Sequence, residues 1–249
     1  MKKNIYPIIG AIVLVFLWWV ITTTKLVNPL FLASPLETVK SLFSFLFNQN
    51  GFTHLWSTFY RTLIGFIFAI LLAVPIGIVV GTNKKIYSFL EVIIDFFRSL
   101  PATALFPLFI LFLGIGDAVK IAVAFFIAFW VIFINTIYGV WNQSKIRVQV
   151  ANVFRASRFQ TFKEVTLLDI LPQICVGLRL AISYSLIVVV VAEMFIGAKY
   201  GLGQKIIDSY LAYRTSYLYA IILIVGLLGY LFSKLFIVLE RRIVHWVGK

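Results

Sequence analysis

The sequence predicts an all-α integral membrane protein with about six transmembrane helices. Hydrophobic residues make up 62% of the 249 positions and charged residues only 12%, whereas soluble chains average roughly 45–50% and about 25%. The apolar runs approach the roughly 20 residues of helix that cross a hydrocarbon core of about 30 Å. They lack the alternating polarity of roughly ten-residue barrel strands, so helices are the expected spanning elements.

Six apolar runs define the expected spans within a single domain, residues 1–249. They cover residues 5–22, 62–81, 86–113, 119–140, 174–197 and 217–239. We expect the first run to be a retained span and not a signal peptide, because bulky Trp18 and Trp19 stand where a cleavage site needs small residues. An even number of spans places both termini on the same side of the membrane.

The distribution of basic residues predicts the orientation. Lysines and arginines accumulate in cytoplasmic loops, and twelve of them fall on the side of the termini against six on the other side. The twelve are Lys2, Lys3, Lys84, Lys85, Lys145, Arg147, Arg155, Arg158, Lys163, Arg241, Arg242 and Lys249. Both termini are therefore expected in the cytoplasm. The same bias accounts for the net charge of +13, so we expect no nucleic-acid partner.

The third run carries charged residues and a predicted break. Glu91, Asp95 and Arg98 share one helical face, where they can pair. Such residues at membrane depth face a bundle interior or an aqueous path, and an amphipathic helix on the membrane surface is the alternative. Pro101 and Pro107 predict a break or kink, since proline removes a backbone donor and clashes with the preceding turn.

Other polar residues near the membrane give weaker indications. Glu193 ends an apolar run and should face protein or water, either as a hydrogen-bonding group to a neighbouring helix or on a transport route. Arg61 and Arg179 stand at span ends, where they are expected to reach the headgroups. His54 and His245 stand alone near the interfaces, which is unremarkable for a polar-tipped ring.

The sequence lacks the motifs of common catalytic and cofactor sites. There is no G-x-x-x-x-G-K-[ST] phosphate loop, so the chain is not expected to hydrolyse ATP. Gly201-Leu-Gly203 follows no strand and predicts a tight turn, not a dinucleotide site. The single Cys175 forms no internal disulfide, and no Cys/His cluster has metal-ligand spacing. No cofactor or metal is expected in this chain.

A polar, basic stretch at residues 141–172 separates the two apolar halves. It predicts a short helix over 149–154, a break at Arg155-Ala156-Ser157, and a second helix from Arg158 to Ile170 that Ser157 caps and Pro172 ends. An ordinary inner loop would also be basic, but this stretch is longer and more helical than a connector requires. We interpret it as a docking element for a soluble partner.

This stretch resembles the cytoplasmic coupling loop of binding-protein-dependent ABC importer permeases of the nitrate/sulfonate/taurine type. The family pattern is Glu-Ala-Ala, three residues, Gly, nine residues, then Ile-x-Leu-Pro. Here Gln149-Val-Ala151, Arg155-Ala-Ser157 and Leu171-Pro172 occupy the corresponding positions. Further matching landmarks lie in family order at residues 33–35, 61–66, 98–101, 112–116 with Lys120, 135–136, 177–179, 191–193 and 201–203.

The resemblance implies a type I ABC importer (MetI-like) permease fold and a multi-pass location in a bacterial inner membrane. It implies a translocation path for a small solute, for which the arginines weakly favour an anion. Its expected partners are a cytoplasmic ATPase dimer that binds ATP and Mg²⁺, a second permease subunit and an extracytoplasmic binding protein. The docking residues implied are Gln149, Ala151, Arg155, Ala156, Ser157, Leu171 and Pro172; the path candidates are Arg98, Asn135 and Glu193.

The stretch departs from the family pattern at four positions. Gln149, Val150, Arg155 and Leu168 replace the usual residues, and a left-handed turn costs a non-glycine residue about 1 kcal/mol or more, which predicts a reshaped turn and weakened docking. The chain would then be the degenerate half of a heterodimeric permease.

Two functions other than an ABC importer permease are compatible with the sequence. They are a membrane scaffold of another multisubunit uptake system and an ion-driven carrier, although a carrier would show paired broken helices and only one segment here is clearly broken.

Overall fold

The computed structural model describes residues 5–244 and 246, which form a bundle of ten α-helices with no strand in that part of the chain. Lys2, Lys3, His245 and Lys249, which entered the expectations above, lie outside the described residues. The helices are α1 Tyr6–Thr23, α2 Pro35–Asn48, α3 Gly51–Thr82, α4 Lys84–Ser99, α5 Phe106–Leu113, α6 Asp117–Trp141, α7 Lys145–Val153, α8 Arg158–Ile196, α9 Leu202–Leu211 and α10 Thr215–Ile243. Within α8, the stretch Thr161–Thr166 is π-helical.

Five of these helices are long and apolar enough to cross a membrane: α1, α3, α6, α8 and α10. The sixth candidate is a bent pair, because α4 and the helical stretch Ala102–Leu113 meet at 90°. Leu100 and Pro101 have extended backbone at this bend, as the proline there predicts. The expectation of about six spans with a broken third segment is confirmed, although α3 begins eleven residues before the predicted span at residue 62.

The core lies where α3, α6 and α8 pack against one another. Small residues allow the backbones to approach closely, as is common between membrane helices. A Cβ on Gly65 of α3 would lie 2.7 Å from the Ala124 Cβ of α6, and one on Gly177 of α8 would lie 2.7 Å from the Asn135 Cβ of α6. The centre of the bundle is therefore fixed by close contact of three helices.

Pro172 does not end a helix, so that prediction is wrong. It lies inside α8, which continues to Ile196. The apolar face of α8 runs across the proline, because Ile170 and Ile174 on either side of it are both buried against Val140 of α6. A proline removes one backbone hydrogen bond, and packing against a neighbouring helix on both sides of it makes that loss tolerable in a membrane helix.

Candidate functional site: the polar segment and the buried charge cluster

The polar segment 141–172 contains two helices joined by a turn, as its sequence predicts. The first helix, α7, begins at Lys145, four residues before the predicted start, and the Ser144 side chain caps it by accepting from the Arg147 N–H at 3.4 Å. The second, α8, begins at Arg158. Ser157 and Gln160 form a capping box there, with reciprocal bonds of 3.2 and 2.8 Å. Both helix starts are thus specified locally.

The turn between the helices keeps the left-handed geometry that a glycine would give. Arg155 has a φ of +54°. Its N–H donates to the Asn152 carbonyl at 3.0 Å, and the Ala156 N–H donates to the Ala151 carbonyl at 3.0 Å. These two bonds make a Schellman motif, which ends α7. The expectation that arginine reshapes this turn is therefore wrong, because the two bonds hold it in the left-handed conformation.

Asp169 of α8 fixes α7 in place. Its carboxylate is 5% exposed and accepts the Arg147 guanidinium at 2.8 Å and the Ser144 N–H at 3.2 Å. The position of α7 relative to the membrane-spanning part of α8 is therefore set by a charged contact. Sequence reasoning missed Asp169; the available signal was an acidic residue in a basic segment.

The end of α7, the turn and the start of α8 expose large apolar side chains. Val153 and Phe154 are 80% and 81% exposed, and Phe159 across the turn is 73% exposed. Arg155 and Arg158 are exposed beside them. Contiguous apolar side chains in a polar setting are typical of protein contact sites. We call Val153–Phe159 the apolar tip.

Five of the seven predicted docking residues lie together and two do not. Gln149, Ala151, Arg155, Ala156 and Ser157 lie on α7 or in the turn that follows it. Leu171 and Pro172 lie on α8, fourteen and fifteen residues after Ser157, which corresponds to about 20 Å of helix. A partner that covers the apolar tip would therefore lie far from Leu171 and Pro172 along α8.

A buried charge cluster occupies the opposite end of the bundle. Helix α6 runs from this end to the polar segment, and α8 returns to it. Glu193 of α8 is 0% exposed and accepts the Arg61 guanidinium at 2.6 Å, the Thr58 hydroxyl at 2.9 Å and the Gly203 N–H at 2.9 Å. Arg61 also pairs with Asp117 at 2.7 Å. We call these groups, with His54, the charge cluster.

Two glycines allow α9 to approach this cluster. A Cβ on Gly201 would lie 2.7 Å from each oxygen of the Glu193 carboxylate, and one on Gly203 would meet the Val190 carbonyl oxygen. The Gly201 N–H lies 3.0 Å from the Nδ1 of His54. The predicted tight turn is thus the entry to α9, whose first N–H groups reach the cluster because no side chain intervenes.

Arg61 does not reach the headgroups, so that expectation is wrong. Its side chain is 4% exposed, because two carboxylates, from Glu193 and Asp117, balance the charge inside the bundle. Arg179 pairs with Glu240 of α10 at 3.6 Å. Sequence reasoning identified Arg61 and Glu193 separately but had no signal that they were partners.

The three predicted path residues lie in three separate places. Arg98, at the end of α4, is half exposed and pairs with Asp95 at 3.1 Å. Asn135 of α6 accepts the Gln173 amide of α8 at 3.1 Å. Glu193 belongs to the charge cluster, where its hydrogen bonds account for its position. A role for any of the three in transport stays a prediction.

The fold and these two ends define a multi-pass helical membrane protein with a polar helical segment at one end and a buried charge cluster at the other. Residues 65–245 match the family described as "Binding-protein-dependent transport system inner membrane component". The chain belongs to this family, as the resemblance in its sequence indicated, and is the transmembrane permease subunit of an ABC importer. The scaffold and ion-driven carrier alternatives are thereby set aside.

Three transport permeases match this sequence along almost its whole length. It is 29% identical to the taurine transport system permease protein of Escherichia coli (strain K12), over 100% of its own length and 92% of that protein. It is 28% identical to the nitrate import permease protein of Synechocystis sp., over 97% and 90%. It is also 28% identical to the bicarbonate transport system permease protein of Synechococcus elongatus, over 96% and 89%.

The fold matches a solved ABC importer. The chain superimposes on a chain of the inward-facing MetNI methionine ABC transporter with a TM-score of 0.68 and 19% identity, covering 76% of this chain and 94% of that one. The expected type I, MetI-like permease fold is confirmed.

Proposed function

We propose that this permease imports a small anionic solute by alternating access, driven by a cytoplasmic ATPase dimer that docks on the polar segment. The anionic class is supported by the relatives named for taurine, nitrate and bicarbonate import. Taurine carries a sulfonate group, and the other two are oxyanions, so an anionic group is common to all three. An extracytoplasmic binding protein delivers the solute, and the termini lie in the cytoplasm.

The exposed apolar tip is the observation that carries the docking proposal. Val153, Phe154 and Phe159 present apolar surface to water at the end of a basic segment, and burial of such surface against a protein is favourable by about 25 cal/mol per Å². The capping interactions at Ser144 and Ser157 hold this tip in one conformation. A preformed tip loses less conformational entropy when the ATPase binds.

Asp169 provides the mechanical connection between docking and transport. When the ATPase subunits close and displace α7, the ion pair from Arg147 and the bond from Ser144 pass the displacement to α8. Helix α8 is continuous from the turn to the charge cluster. The bundle then moves as rigid parts between an inward-open and an outward-open arrangement.

A pair of matched substitutions tests the docking. Phe154→Ser removes the most exposed apolar side chain of the tip, and Phe47→Ser removes a comparably exposed one from α2 as a control. We expect the ATPase to co-purify with the Phe47 variant and to be lost from the Phe154 variant, together with vanadate-sensitive uptake. Unchanged co-purification with Phe154→Ser, or uptake driven by a proton gradient alone, would contradict the proposal.

The second permease subunit completes the path. The Schellman motif at Arg155 is intact, which removes the geometric reason for weakened docking of the ATPase, whereas Gln149, Val150 and Leu168 still depart from the family pattern. We propose a permease of two different subunits in which this chain keeps a functional docking surface. Full activity of a complex that contains only this permease and its ATPase would identify a homodimer and refute this heterodimer.

A further inference from the structure

A cavity of about 550 Å³ opens at the end of the bundle that carries the polar segment. It lies where the end of α3, the start of α4, the end of α6 and the start of α7 come together. Its lining residues are Gly81, Thr82, Lys84, Tyr87, Ser88, Val140, Trp141, Gln143 and Lys145. This volume falls within the usual range of small-molecule sites. The cavity shares no residue with the apolar tip or the charge cluster.

Two lysines give this cavity a positive charge that no acidic group balances. Lys84 begins α4 and Lys145 begins α7, and none of the described residues that line the cavity is acidic. Neither lysine forms an ion pair with another described residue. Arg147, two residues after Lys145, is by contrast held by Asp169. Both ammonium groups are therefore available to an anionic ligand, and each carries three donors.

The first turns of α4 and α7 add to the positive potential. The N-terminus of an α-helix carries about half a positive charge, and acidic residues there are stabilising. The first turn of neither helix contains an acidic residue. Asn83 and Ser144 cap the two helices by hydrogen bonds, so the backbone donors have acceptors but the charge has no counterpart. An anion in the cavity would offset both helix ends and both lysines.

The aromatic residues of the cavity indicate that it lies at the membrane interface. Tyr87 and Trp141 meet edge to face, with ring centroids 4.6 Å apart, and both residue types are enriched at the level of the lipid headgroups. The cavity is also formed at the ends of α3 and α6, which are both long and apolar enough to cross the membrane. It therefore lies at the depth of the phospholipid phosphates.

An exposed apolar stripe on α3 leads away from the cavity along the helix. Phe68, Leu71 and Val79 are 55%, 60% and 56% exposed. They precede Thr82 of the cavity by 14, 11 and three residues, which places them within about 60° of it around the helix. A soluble anion makes no use of such a surface, whereas an acyl chain attached to a headgroup in the cavity covers it.

We propose that this cavity binds the phosphate headgroup of an anionic phospholipid, with Lys84 and Lys145 as its counter-ions and an acyl chain along α3. Basic pockets between membrane helices bind such headgroups. The bound lipid bridges α4 and α7, so it also holds the first helix of the polar segment at the membrane surface. This site goes beyond ATPase docking and solute transport. A soluble phosphate ester shares the headgroup chemistry, and the experiment separates the two sources.

Lipid-dependent thermal unfolding of the purified, delipidated full-length chain tests the site. Dioleoyl phosphatidylglycerol, zwitterionic dioleoyl phosphatidylcholine and soluble glycerol 1-phosphate are titrated separately into the protein in a non-ionic detergent. We expect a saturable rise in the unfolding midpoint with phosphatidylglycerol and a much smaller rise with each of the other two. Phosphatidylcholine controls for the acyl chains, and glycerol 1-phosphate controls for the anionic group without them.

Variants of the lysines locate the binding. Lys84→Gln combined with Lys145→Gln, the cavity variant, should weaken the apparent affinity for phosphatidylglycerol at least about tenfold, because each lysine beside an anionic headgroup contributes about fivefold. Arginine at both positions keeps the charge and should retain the response. Lys25→Gln combined with Lys40→Gln, the control variant, removes two exposed lysines at the other end of the molecule and should change the affinity less than about twofold.

Several results would overturn the proposal. These are an equal response to phosphatidylcholine, an unchanged response in the cavity variant, and an equal loss of affinity in the control variant. An equal response to glycerol 1-phosphate at the same concentration assigns the cavity to a soluble phosphate ester and rules out the lipid. Lys84 and Lys145 are both exposed, so the cavity variant should unfold like the wild type without lipid; much earlier unfolding would show that the protein itself holds these side chains.

The lipid site and ATPase docking are tested separately. Lipid binding is measured on the chain without the ATPase, so a failure of the docking proposal leaves this result unaffected. The cavity variant should still co-purify with the ATPase, because the apolar tip lies at the other end of α7 from Lys145. Loss of the ATPase from this variant would show that the ATPase covers the cavity and would overturn the lipid assignment.

Discussion

Glu193 and Arg61 form a buried ion pair whose loss should destabilise the bundle strongly. Glu193 is 0% and Arg61 4% exposed, and their nearest atoms are 2.6 Å apart. Replacement of a partner that leaves a buried charge without its counter-ion costs about 3–5 kcal/mol. We expect this loss for Arg61→Met, because the charge of Glu193 would then be buried with neutral donors only. Glu193→Met should cost less, because Arg61 keeps Asp117 as a counter-ion at 2.7 Å.

The double variant separates charge from packing. Arg61→Met with Glu193→Met removes both charges and fills a similar volume, so it should be less destabilised than the sum of the two single variants by at least about 2 kcal/mol. The assay is reversible unfolding of the purified permease in mixed micelles with increasing sodium dodecyl sulfate, followed by circular dichroism.

The exposed pair Asp95 and Arg98 provides the control for this cycle. Both side chains are about half exposed, so Asp95→Asn should change the free energy of unfolding by no more than about 1 kcal/mol. A cost for Arg61→Met as small as that of the control, or full additivity in the double variant, would refute the assignment of a buried, coupled pair.

Three further predictions concern the turn at Arg155, the contact of Asp169 with α7, and the close approach of α9 to α8. Arg155→Gly should preserve ATPase docking and lower the conformational cost of the left-handed turn by about 1 kcal/mol, whereas Arg155→Val should expose the turn to limited proteolysis. Asp169→Asn should reduce uptake several-fold without reducing the amount of protein in the membrane, because α7 loses its ion pair from Arg147; normal uptake would exclude this joint. Gly203→Ala should destabilise by about 1–3 kcal/mol, since the new methyl group meets the Val190 carbonyl, and Gly226→Ala, which has open space around it, should not.

Local features of the fold were predictable from the sequence. Apolar runs gave the spans, Pro101 gave the bend, and Ser157 gave the start of α8 through its capping box. Each of these depends on residues close together in the chain. Pro172 misled the prediction, because proline opposes a helix locally but packing of Ile170 and Ile174 decides the outcome.

The charge cluster was not predictable in the same way. Arg61 and Glu193 are 132 positions apart, and each had a plausible position by itself, at a headgroup or on a transport route. Only the packing of α3 against α8 brings them into contact and makes burial of both charges tolerable. The contacts of Asp169 with α7 were missed for a related reason, because Arg147 and Ser144 reach its carboxylate from a separate helix and its cap.

Site-specific cross-linking tests the central claim, that the apolar tip docks an ATPase. The single native cysteine, Cys175, is buried, so Phe154→Cys provides an accessible thiol at the tip and Phe47→Cys one at the other end of the molecule. Membranes that contain both subunits are treated with a short reagent that joins a thiol to an amine, with and without ATP, so that the lysines of the ATPase supply the second reactive group. We expect a nucleotide-dependent cross-link from position 154 to the ATPase and none from position 47. Absence of a cross-link at 154, or an equal yield at 47, would contradict it.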